Sequence, residues 1–428
     1  MMKYRGNKMK KLKFEQCFDK MFDFRGKTPK KIDMDWGGGN IPALSANNVK
    51  MGKIDFNQST YYGSDKLYKK WMNKGRLKKG DVLMTMEAPL GNTVQIPDDR
   101  KYILSQRVVA FRTTKNVYNT YFMYYIMSPM FRKDLEKYST GTTATGISQK
   151  NLFEIYVNMP EYREQQKIAK ILSTLDQNIE KTTQTIEKYK KVKKGLIEDL
   201  LTGRIRIKDG KWVEETEFKY VEKIGNIPND WEFKELKYIA SYTGRGKSPQ
   251  YVEKSNYKVI NQACIYWDEI RSDKIKYVSK EFFDKLSKDR RVENGDILIN
   301  STGTGTLGRV AYYDSEEVIT FDSHVTKIRI KNGDSKYYSY YFSTRKFQSE
   351  IENFCVTGST NQIELQKSEL DKRLVPVFDF DEQKEISNIL SRQDQLIEKE
   401  KQYLQKLQKL KNGLMEDLLT GKKRVNLD

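Results

Sequence analysis

One stretch of about forty residues occurs twice in this sequence, and the repetition constrains the fold more than any other feature. Residues 164–206 recur 218 positions later without an insertion or deletion. A duplication is the simplest cause, so we expect a chain with two similar halves. The matching segments are Glu164-Gln165 with Glu382-Gln383, Ile171-Leu172-Ser173 with Ile389-Leu390-Ser391, Asp176-Gln177 with Asp394-Gln395, Gly195-Leu196 with Gly413-Leu414, and the run at 198–203 with the run at 416–421.

Both copies have the apolar spacing of a long helix that packs along a seam. Apolar residues recur three and four positions apart, which is the a and d spacing of a coiled coil. Polar residues interrupt the seam at Thr182 and Lys193, and at Glu400 and Lys411. Ordinary core packing explains one such copy, but two copies favour pairing with each other. The seam residues are Ile168, Leu172, Leu175, Ile179, Ile186, Tyr189, Leu196 and Leu200 in the first copy and Ile386, Leu390, Ile397, Leu404, Leu407, Leu414 and Leu418 in the second.

The order domain, helix, domain, helix favours an antiparallel pairing of the two helices. In that pairing the end of the first helix lies beside the start of the second, where the second domain attaches. A parallel pairing requires the second domain to span the whole helix length. A helix of about 38 residues is roughly 57 Å long, so we expect two like domains to contact DNA about one helical turn or more apart.

The sequence predicts a division into residues 1–161 (first globular domain), 162–209 (first long helix and connector), 210–380 (second globular domain) and 381–428 (second long helix). In the first domain, short apolar runs at 41–44, 82–84 and 108–111 read as strands, and the aromatic-rich residues 118–138 read as one packed helix. The connector at 204–225 is polar. The predicted fold class is therefore two mixed α/β (α+β) domains joined by an antiparallel coiled coil, with an internal pseudo-twofold repeat.

The globular domains repeat each other only in outline. Arg-Gly-Lys-Thr-Pro at 25–29 returns as Arg-Gly-Lys-Ser-Pro at 245–249, and Gly-Asp-Val-Leu at 80–83 returns as Gly-Asp-Ile-Leu at 295–298. The offset drifts between 215 and 220, whereas it is constant in the helices. We therefore expect two domains with one fold and different surfaces.

The composition favours an anionic partner. The net charge is +20 and the pI is about 9.4, which makes nucleic acid the leading candidate; an anionic membrane surface and simple solubility are alternatives. No apolar run reaches the roughly 18–20 residues of a membrane span, and the basic N-terminus lacks the apolar segment of a signal peptide. Cys17, Cys264 and Cys355 fit neither a disulfide framework nor a zinc site, so we expect a cytoplasmic protein.

No catalytic constellation is complete in this sequence. His324 is the only histidine, and a structural or DNA-contacting role suits it better than catalysis. The glycine-rich residues 303–308 match a dinucleotide fingerprint by letter, but a strand rather than a helix is predicted after them. Glu382, Gln383 and Lys384 near Asp379 resemble a nuclease triad faintly, at a helix start whose twin lacks the lysine. We expect no catalytic and no metal site.

Binding residues are easier to find than catalytic ones. Arg-Gly-Lys-(Thr/Ser)-Pro combines cations with a turn, which suits phosphate contact or bidentate reading of guanine, and the loops before each long helix offer hydroxyl and amide groups. Solvated turns and helix capping explain the same residues equally well. The candidates for DNA contact are Arg25, Lys27, Thr28, Arg107, Thr142, Thr143, Arg245, Lys247, Ser248, Thr302, Thr304, His324, Ser359, Asn361 and Gln362.

The repeated motif resembles a known family. Glu-Gln-x-x-Ile-x-x-Ile-Leu-Ser-x-x-Asp-Gln followed by Gly-Leu-(Ile/Met)-Glu-Asp-Leu-Leu-Thr-Gly, present in both copies, is similar to the specificity subunit of type I restriction–modification enzymes, as is Gly-Asn-Ile-Pro-Asn-Asp-Trp at 225–231. The sequence departs from the family where a double proline often precedes Glu-Gln: it has Met159-Pro160 in one copy and Val377-Phe378 in the other. This leaves the domain boundary open.

The resemblance implies a non-catalytic DNA-binding subunit with two target-recognition domains. Each domain reads half of a bipartite target, which is asymmetric because the domains differ, and the helices set the spacing. The helices also dock two modification subunits, which bind S-adenosylmethionine and methylate adenine, and nuclease–translocase subunits join the complex. S-adenosylmethionine, ATP and Mg belong to those partners, and no cofactor is expected in this chain.

Two other functions remain as alternatives. The first is a coiled-coil adaptor that binds only proteins, for which the positive net charge has no role in binding. A fused methyltransferase or nuclease is disfavoured because its motifs are missing.

Overall fold

The computed structural model describes residues 9–140, 145–222, 224–358 and 363–427. The chain forms two compact units. Unit 1 comprises residues 1–184 and 401–428, and unit 2 comprises residues 185–400. Each long helix therefore contributes one half to each unit, and the domain division proposed from the sequence stays a prediction.

Unit 1 contains eleven strands and four short helices among its described residues, together with part of each long helix. The strands are β1 Lys10–Lys13, β2 Phe18–Asp23, β3 Ile41–Leu44, β4 Val49–Lys50, β5 Lys53–Ile54, β6 Tyr61–Gly63, β7 Val82–Thr85, β8 Thr93–Gln95, β9 Ile103–Leu104, β10 Val108–Thr113 and β11 Tyr156–Met159. The helices are α1 Asp65–Trp71, α2 Asn119–Met127, α3 Pro129–Tyr138, α4 Gln149–Phe153 and the long α5 Tyr162–Leu201.

Two sheets organise unit 1. An antiparallel sheet has the order β2-β10-β7-β8, and a smaller sheet has the order β6-β3-β9, in which β3 and β9 are parallel. All four residues of β7 are buried, and the aromatic helix α2 packs in the same core as this strand. The predicted strand at 41–44 coincides with β3.

The single helix predicted at 118–138 is wrong. The structure has two helices, because Pro129 begins α3 and the side chain of Ser128 caps it by accepting a hydrogen bond from Phe131 N. Proline is favoured in the first turn of a helix, where its missing N–H costs nothing.

Unit 2 has nineteen strands and five short helices among its described residues. The strands are β12 Ile205–Lys208, β13 Lys211–Glu214, β14 Phe218–Val221, β15 Gly225–Pro228, β16 Glu232–Glu235, β17 Ala240–Arg245, β18 Tyr251–Val252, β19 Tyr257–Ile260, β20 Ile265–Tyr266, β21 Glu269–Ile270, β22 Lys276–Val278, β23 Arg291–Val292, β24 Ile297–Asn300, β25 Val310–Tyr312, β26 Ile319–Phe321, β27 Val325–Ile330, β28 Val356–Thr357, β29 Glu364–Leu365 and β30 Leu374–Val377. The helices are α6 Leu236–Ile239, α7 Lys280–Asp284, α8 Ser335–Phe342, α9 Arg345–Glu350, α10 Lys367–Asp371 and the long α11 Phe380–Leu419.

The sheets of unit 2 follow the plan of unit 1. The antiparallel order β17-β27-β24-β25 corresponds to β2-β10-β7-β8, and the parallel pair β19 and β26 corresponds to β3 and β9. In unit 2 the parallel pair lies within a larger sheet of order β18-β22-β19-β26-β23. The predicted repeat of one mixed α/β fold is thus present in strand order.

The polar connector after α5 is more regular than its composition indicates. It forms two hairpins, β12 with β13 and β14 with β15. Asp209 and Gly210 link β12 to β13 with φ values of 54° and 70°, the left-handed backbone that an Asp-Gly hairpin turn uses.

The long helices pack antiparallel. In unit 1 the beginning of α5 and the end of α11 share one core, through Ile168 and Leu172 on one side and Leu418 on the other. In unit 2 the end of α5 shares a core with the beginning of α11, through Leu200 and Leu390. Every predicted seam residue is buried or half-buried, and the half-buried ones are Ile179, Tyr189, Leu196, Leu404 and Leu414. Among the described residues, no helix has the length and apolar character that crossing a membrane requires.

Candidate nucleic-acid interface

The repeated residues of the long helices attach each helix to the globular part of its unit. In unit 2 the Arg206 side chain is 1% exposed; its guanidinium donates to Glu382 at 2.8 and 2.6 Å and forms further ion pairs with Asp230 and Glu215. Hydrogen bonds from Arg206 hold the pKa of Asp230 below its ordinary value. In unit 1 the equivalent Arg424 is 33% exposed and donates to Glu164, at 2.6 Å from Nε. In both units the repeated glutamate therefore binds an arginine that lies 42 residues after the glutamate of the other copy.

The two lysines that interrupt the seam have partners as well. Lys193 lies 2.7 Å from Asp394 and 2.8 Å from Asp268, and Asp394 also accepts a hydrogen bond from Tyr340 at 2.7 Å. In unit 1, Lys411 forms an ion pair with Asp176. The repeated aspartates therefore bind both the other helix and an aromatic helix of the globular part.

One edge of each unit collects the loops that were predicted to bind. The carboxyl ends of adjacent parallel strands meet at the same edge of a sheet, where ligands commonly bind in α/β proteins. In unit 1 the turns after β3 and β9 meet there beside the Arg-Gly-Lys-Thr-Pro loop. We define residues 25–29, 45–48 and 105–107 as the unit 1 loop cluster, and residues 245–249, 261–264 and 322–324 as the unit 2 loop cluster.

The unit 1 loop cluster surrounds a recess of about 400 Å³. Lys27, Thr28, Asn47 and Arg107 line it, together with the Trp36 and Tyr61 rings. These two rings are stacked, with centroids 5.4 Å apart and planes 16° apart. The recess therefore combines cations, an amide and aromatic faces, as nucleic-acid sites commonly do.

The cations of this recess differ in their freedom. Arg25 is held by Asp23, whose Oδ2 lies 2.6 Å from the Arg25 Nη2 atom. The Lys27 ammonium donates to the Trp71 carbonyl at 2.9 Å, and burial, with repulsion from Lys74, lowers its pKa.

Arg107 is the outward-facing cation of the cluster. Its backbone has a φ of 66°, a left-handed conformation that is uncommon for residues other than glycine. The side chain is 52% exposed, and Nε lies 3.2 Å from Glu87 Oε1. Because Glu87 engages one edge of the guanidinium, the remaining N–H donors face solvent.

The unit 2 loop cluster is tied together by direct hydrogen bonds. Arg245 Nε donates to the Ser323 carbonyl at 2.8 Å, and Ser248 Oγ lies 2.7 Å from Ser323 Oγ. A Cβ atom at Gly246 would lie 2.2 Å from the Phe321 carbonyl oxygen. The glycine is required here by close backbone approach, whereas Gly26 has open space and a φ of 74°.

Gln262 and His324 of this cluster are linked through Thr302 by hydrogen bonds, and these three side chains form a polar relay. Thr302 Oγ1 donates to Gln262 Oε1 at 3.0 Å and lies 2.9 Å from His324 Nδ1. Thr302 begins the glycine-rich loop, and β25 follows this loop, so the strand predicted there is present and the dinucleotide motif lacks its helix.

Both clusters share one backbone frame. Met86 N donates to the Arg107 carbonyl at 2.8 Å, and Ser301 N donates to the His324 carbonyl at 2.8 Å. The turn after the first parallel strand is held in the same way, from Ser105 N to Leu44 O in unit 1 and from Asp322 N to Ile260 O in unit 2. These backbone hydrogen bonds are the same in both units, whereas the side chains that the loops carry differ.

The structure brings many of the predicted DNA-contact residues together but does not test their role. Lys27, Thr28 and Arg107 line one recess with Arg25 beside it, and Arg245, Ser248, Thr302 and His324 lie in or beside the unit 2 cluster; Lys247 and Thr304 are exposed. Thr142, Thr143, Ser359, Asn361 and Gln362 lie outside the described residues. The residues that flank those loops lie at the same edges, because Gly146 forms a β-bridge with Glu87 and Glu364 forms a β-bridge with Thr302.

Sequence reasoning missed several polar and aromatic residues of these edges. Asn47, Gln106 and Gln262 follow buried strands directly, and this position was a usable signal. Trp36 comes from a loop and Tyr61 from the start of β6, and the sequence does not reveal that the two converge. Within the described residues, no cluster of three or more His, Cys, Asp or Glu side chains is arranged to hold a metal ion.

Comparisons with known proteins agree with this architecture. The model of the type I restriction modification DNA specificity domain matches residues 8–190 and 228–409. The type I restriction enzyme MjaVIII specificity subunit of Methanocaldococcus jannaschii is 26% identical over 400 residues, covering 90% of this chain and 90% of that protein. The EcoBI specificity subunit of Escherichia coli is 24% identical over 283 residues, covering 63% of this chain and 55% of that protein.

A solved structure shares the fold. The S subunit of a type I restriction–modification system from M. genitalium has a TM-score of 0.59 at 14% identity, covering 98% of both chains. The two domain matches cover most of the sequence, so this chain belongs to the family of type I restriction–modification DNA specificity proteins.

Proposed function

We propose that this chain is the non-catalytic, DNA-binding specificity subunit of a cytoplasmic type I restriction–modification complex. One observation carries the proposal: two loop clusters stand on the same backbone frame but present different side chains. A repeated frame with different surfaces suits two readings of DNA, one for each half of an asymmetric bipartite target.

Phosphate contacts supply the affinity and base contacts supply the specificity. The excess of cations favours association with the DNA backbone. Lys247 and Arg107 are exposed at the loop clusters, where they neutralise phosphates or read guanine. The amide and hydroxyl groups of the same loops read base edges.

The long helices set the distance between the half-sites and dock the modification subunits. Inserting one heptad into each helix preserves the seam and lengthens each helix by about 10 Å, which is roughly three base-pair steps. The spacer of the recognised motif is expected to grow accordingly while both half-sites stay the same. An unchanged spacer in an assembled complex contradicts this part of the proposal.

The catalytic work belongs to partners. Two modification subunits bind S-adenosylmethionine and methylate the DNA, and nuclease–translocase subunits use ATP and Mg. Purified chain is expected to leave DNA unmodified with S-adenosylmethionine alone and to direct methylation once the modification subunit is added. Methylation or cleavage by the chain alone contradicts a non-catalytic role.

Methylation mapping tests the proposal as a whole. DNA from cells that carry the chain and its modification partner is compared with DNA from cells that lack only this chain. The expected result is a chain-dependent bipartite motif with methylated adenine in both halves. If the complex assembles and no chain-dependent motif exists, the chain is a protein-binding adaptor instead.

A further inference from the structure

The relay of Gln262, Thr302 and His324 has a defined hydrogen-bonding capacity. The Thr302 hydroxyl has one hydrogen, which it donates to Gln262 Oε1. The contact between Thr302 Oγ1 and His324 Nδ1 at 2.9 Å therefore needs a proton from the imidazole. Neutral His324 then carries its hydrogen on Nδ1, and its Nε2 atom is an acceptor.

The two ends of the relay are available to a ligand. No described residue forms a hydrogen bond with the Gln262 amide nitrogen or with His324 Nε2. His324 is exposed and Gln262 is half-buried. The relay thus offers one donor, the Gln262 amide, and one acceptor, His324 Nε2. If the Gln262 amide is rotated by 180°, its oxygen becomes the free acceptor and the N–H at His324 Nε2 becomes the free donor. The relay then still offers one donor and one acceptor.

Neighbouring side chains fix the backbone of Gln262 and His324, the two ends of the relay. Asn300 Nδ2 donates to the Gln262 carbonyl at 3.1 Å, and Asp322 Oδ1 accepts from His324 N at 2.9 Å. The Tyr251 hydroxyl donates to the other oxygen of Asp322 at 2.9 Å. A preorganised pair of polar groups loses little entropy on binding.

We infer that Gln262 and His324, oriented by Thr302, form an adenine-reading site in the half-site bound by unit 2. In the major groove adenine presents one acceptor, N7, and one donor, N6. Guanine presents two acceptors, thymine one acceptor and cytosine one donor. A protein pair of one donor and one acceptor therefore complements adenine alone among the four bases. The inference rests on the proposed function and adds the base that it reads.

The test measures binding of the assembled complex to duplexes in which each base pair of both half-sites is replaced in turn, because replacing the adenine that is methylated would abolish methylation whether or not it is read. The wild-type chain is expected to prefer adenine at one position of one half-site by roughly ten- to a hundred-fold. Replacing that adenine with 7-deazaadenine, which lacks the N7 acceptor, is expected to remove most of the preference.

Two variants address the relay from different sides. Gln262→Glu keeps the shape but removes the donor, and Thr302→Val removes the hydroxyl that orients both ends. Each is expected to reduce the preference to within about three-fold at that position only. If Thr302→Val prevents assembly, Gln262→Glu decides, because its side chain is not fully buried. Gln106→Glu makes the same chemical change in the unit 1 loop cluster, and it is expected to leave the adenine preference of the unit 2 half-site unchanged.

The outcomes separate the inference from the proposed function. An adenine preference that the variants leave intact, or a loss spread equally over all positions, overturns the adenine site while the bipartite motif stands. The absence of any chain-dependent motif with the wild-type chain overturns the proposed function itself.

Discussion

The position of Arg107 in unit 1 is taken by His324 in unit 2, although both carbonyls accept the same backbone hydrogen bond. Arg107 faces the carboxylate of Glu87, whereas His324 faces the hydroxyl of Thr302. The same backbone hydrogen bonds therefore carry an ion pair in unit 1 and a hydrogen-bonded relay in unit 2. The two units thus differ in their side chains where these backbone contacts agree.

The scaffold of the two units contrasts with their loops. Arg206 and Arg424 are the same repeated residue, yet Arg206 binds three carboxylates and is almost fully buried, while Arg424 is one-third exposed. Each holds its helix to its own unit.

Arg206→Met is expected to lower the free energy of unfolding of unit 2 by about 3–5 kcal/mol. It leaves the buried carboxylate of Glu382 without its cation and leaves Glu215 with Lys208 alone. Arg424→Met leaves only the buried carboxylate of Glu164 without its arginine, and because Arg424 is itself one-third exposed, water can replace the guanidinium; a loss of about 1–3 kcal/mol is expected. Urea unfolding of the full chain measures both, and equal losses contradict the contrast.

Lys193→Met is expected to cost about 1–3 kcal/mol, since it leaves Asp268 and Asp394 close together without a cation. Lys411→Met is expected to cost less, about 0–1 kcal/mol, because it leaves the single carboxylate of Asp176, which is 36% exposed and which water can solvate. The control is Lys190→Met, which removes an exposed pair with Glu187. A larger loss from Lys411→Met than from Lys193→Met opposes this account.

Arg107→Lys keeps the charge but loses the planar donors of the guanidinium. It is expected to weaken discrimination at one position of the unit 1 half-site by about 1–2 kcal/mol. The unit 2 half-site is expected to stay unchanged. Substituted duplexes measure this position by position. Uniform weakening at every position assigns Arg107 to a phosphate instead.

Lys247→Gln and Lys27→Gln compare the same lysine of the two Arg-Gly-Lys loops. Lys247 is exposed, so we expect it to contact a phosphate. Its loss is expected to make the slope of log binding constant against log salt concentration shallower by about one. Lys27 already donates to the Trp71 carbonyl, so its substitution is expected to change the slope less. Binding at several salt concentrations decides, and a larger effect at Lys27 reverses the assignment.

The helical scaffold could be predicted from the sequence because its signals are local and repeated. The apolar spacing identified the seam, and chain order identified the antiparallel pairing. The split at Pro129 was missed because aromatic residues continue at helical spacing on both sides of it. The Asp209-Gly210 hairpin was missed because the connector was judged by its polarity rather than by its turn residues.

The candidate site could be predicted only in part. The Arg-Gly-Lys loops are visible as a repeated motif, but their cations prove unequal once Asp23 and Trp71 are seen beside them. Thr302 is separated by 40 residues from Gln262 and by 22 from His324. The parallel pairing of β19 with β26 brings Gln262 and His324 to one edge, and the pairing of β24 with β27 places Thr302 beside His324. No local pattern encodes either pairing.

The most direct test of the central claim, that each unit reads its own half-site, maps the methylation motifs of three strains in parallel. They carry the wild-type chain, the Arg107→Lys variant and the Gln262→Glu variant, each with the modification partner. The account predicts that each variant relaxes one half of the motif and leaves the other half and the spacer intact. Relaxation of the same half by both variants, or of both halves by either one, would contradict it.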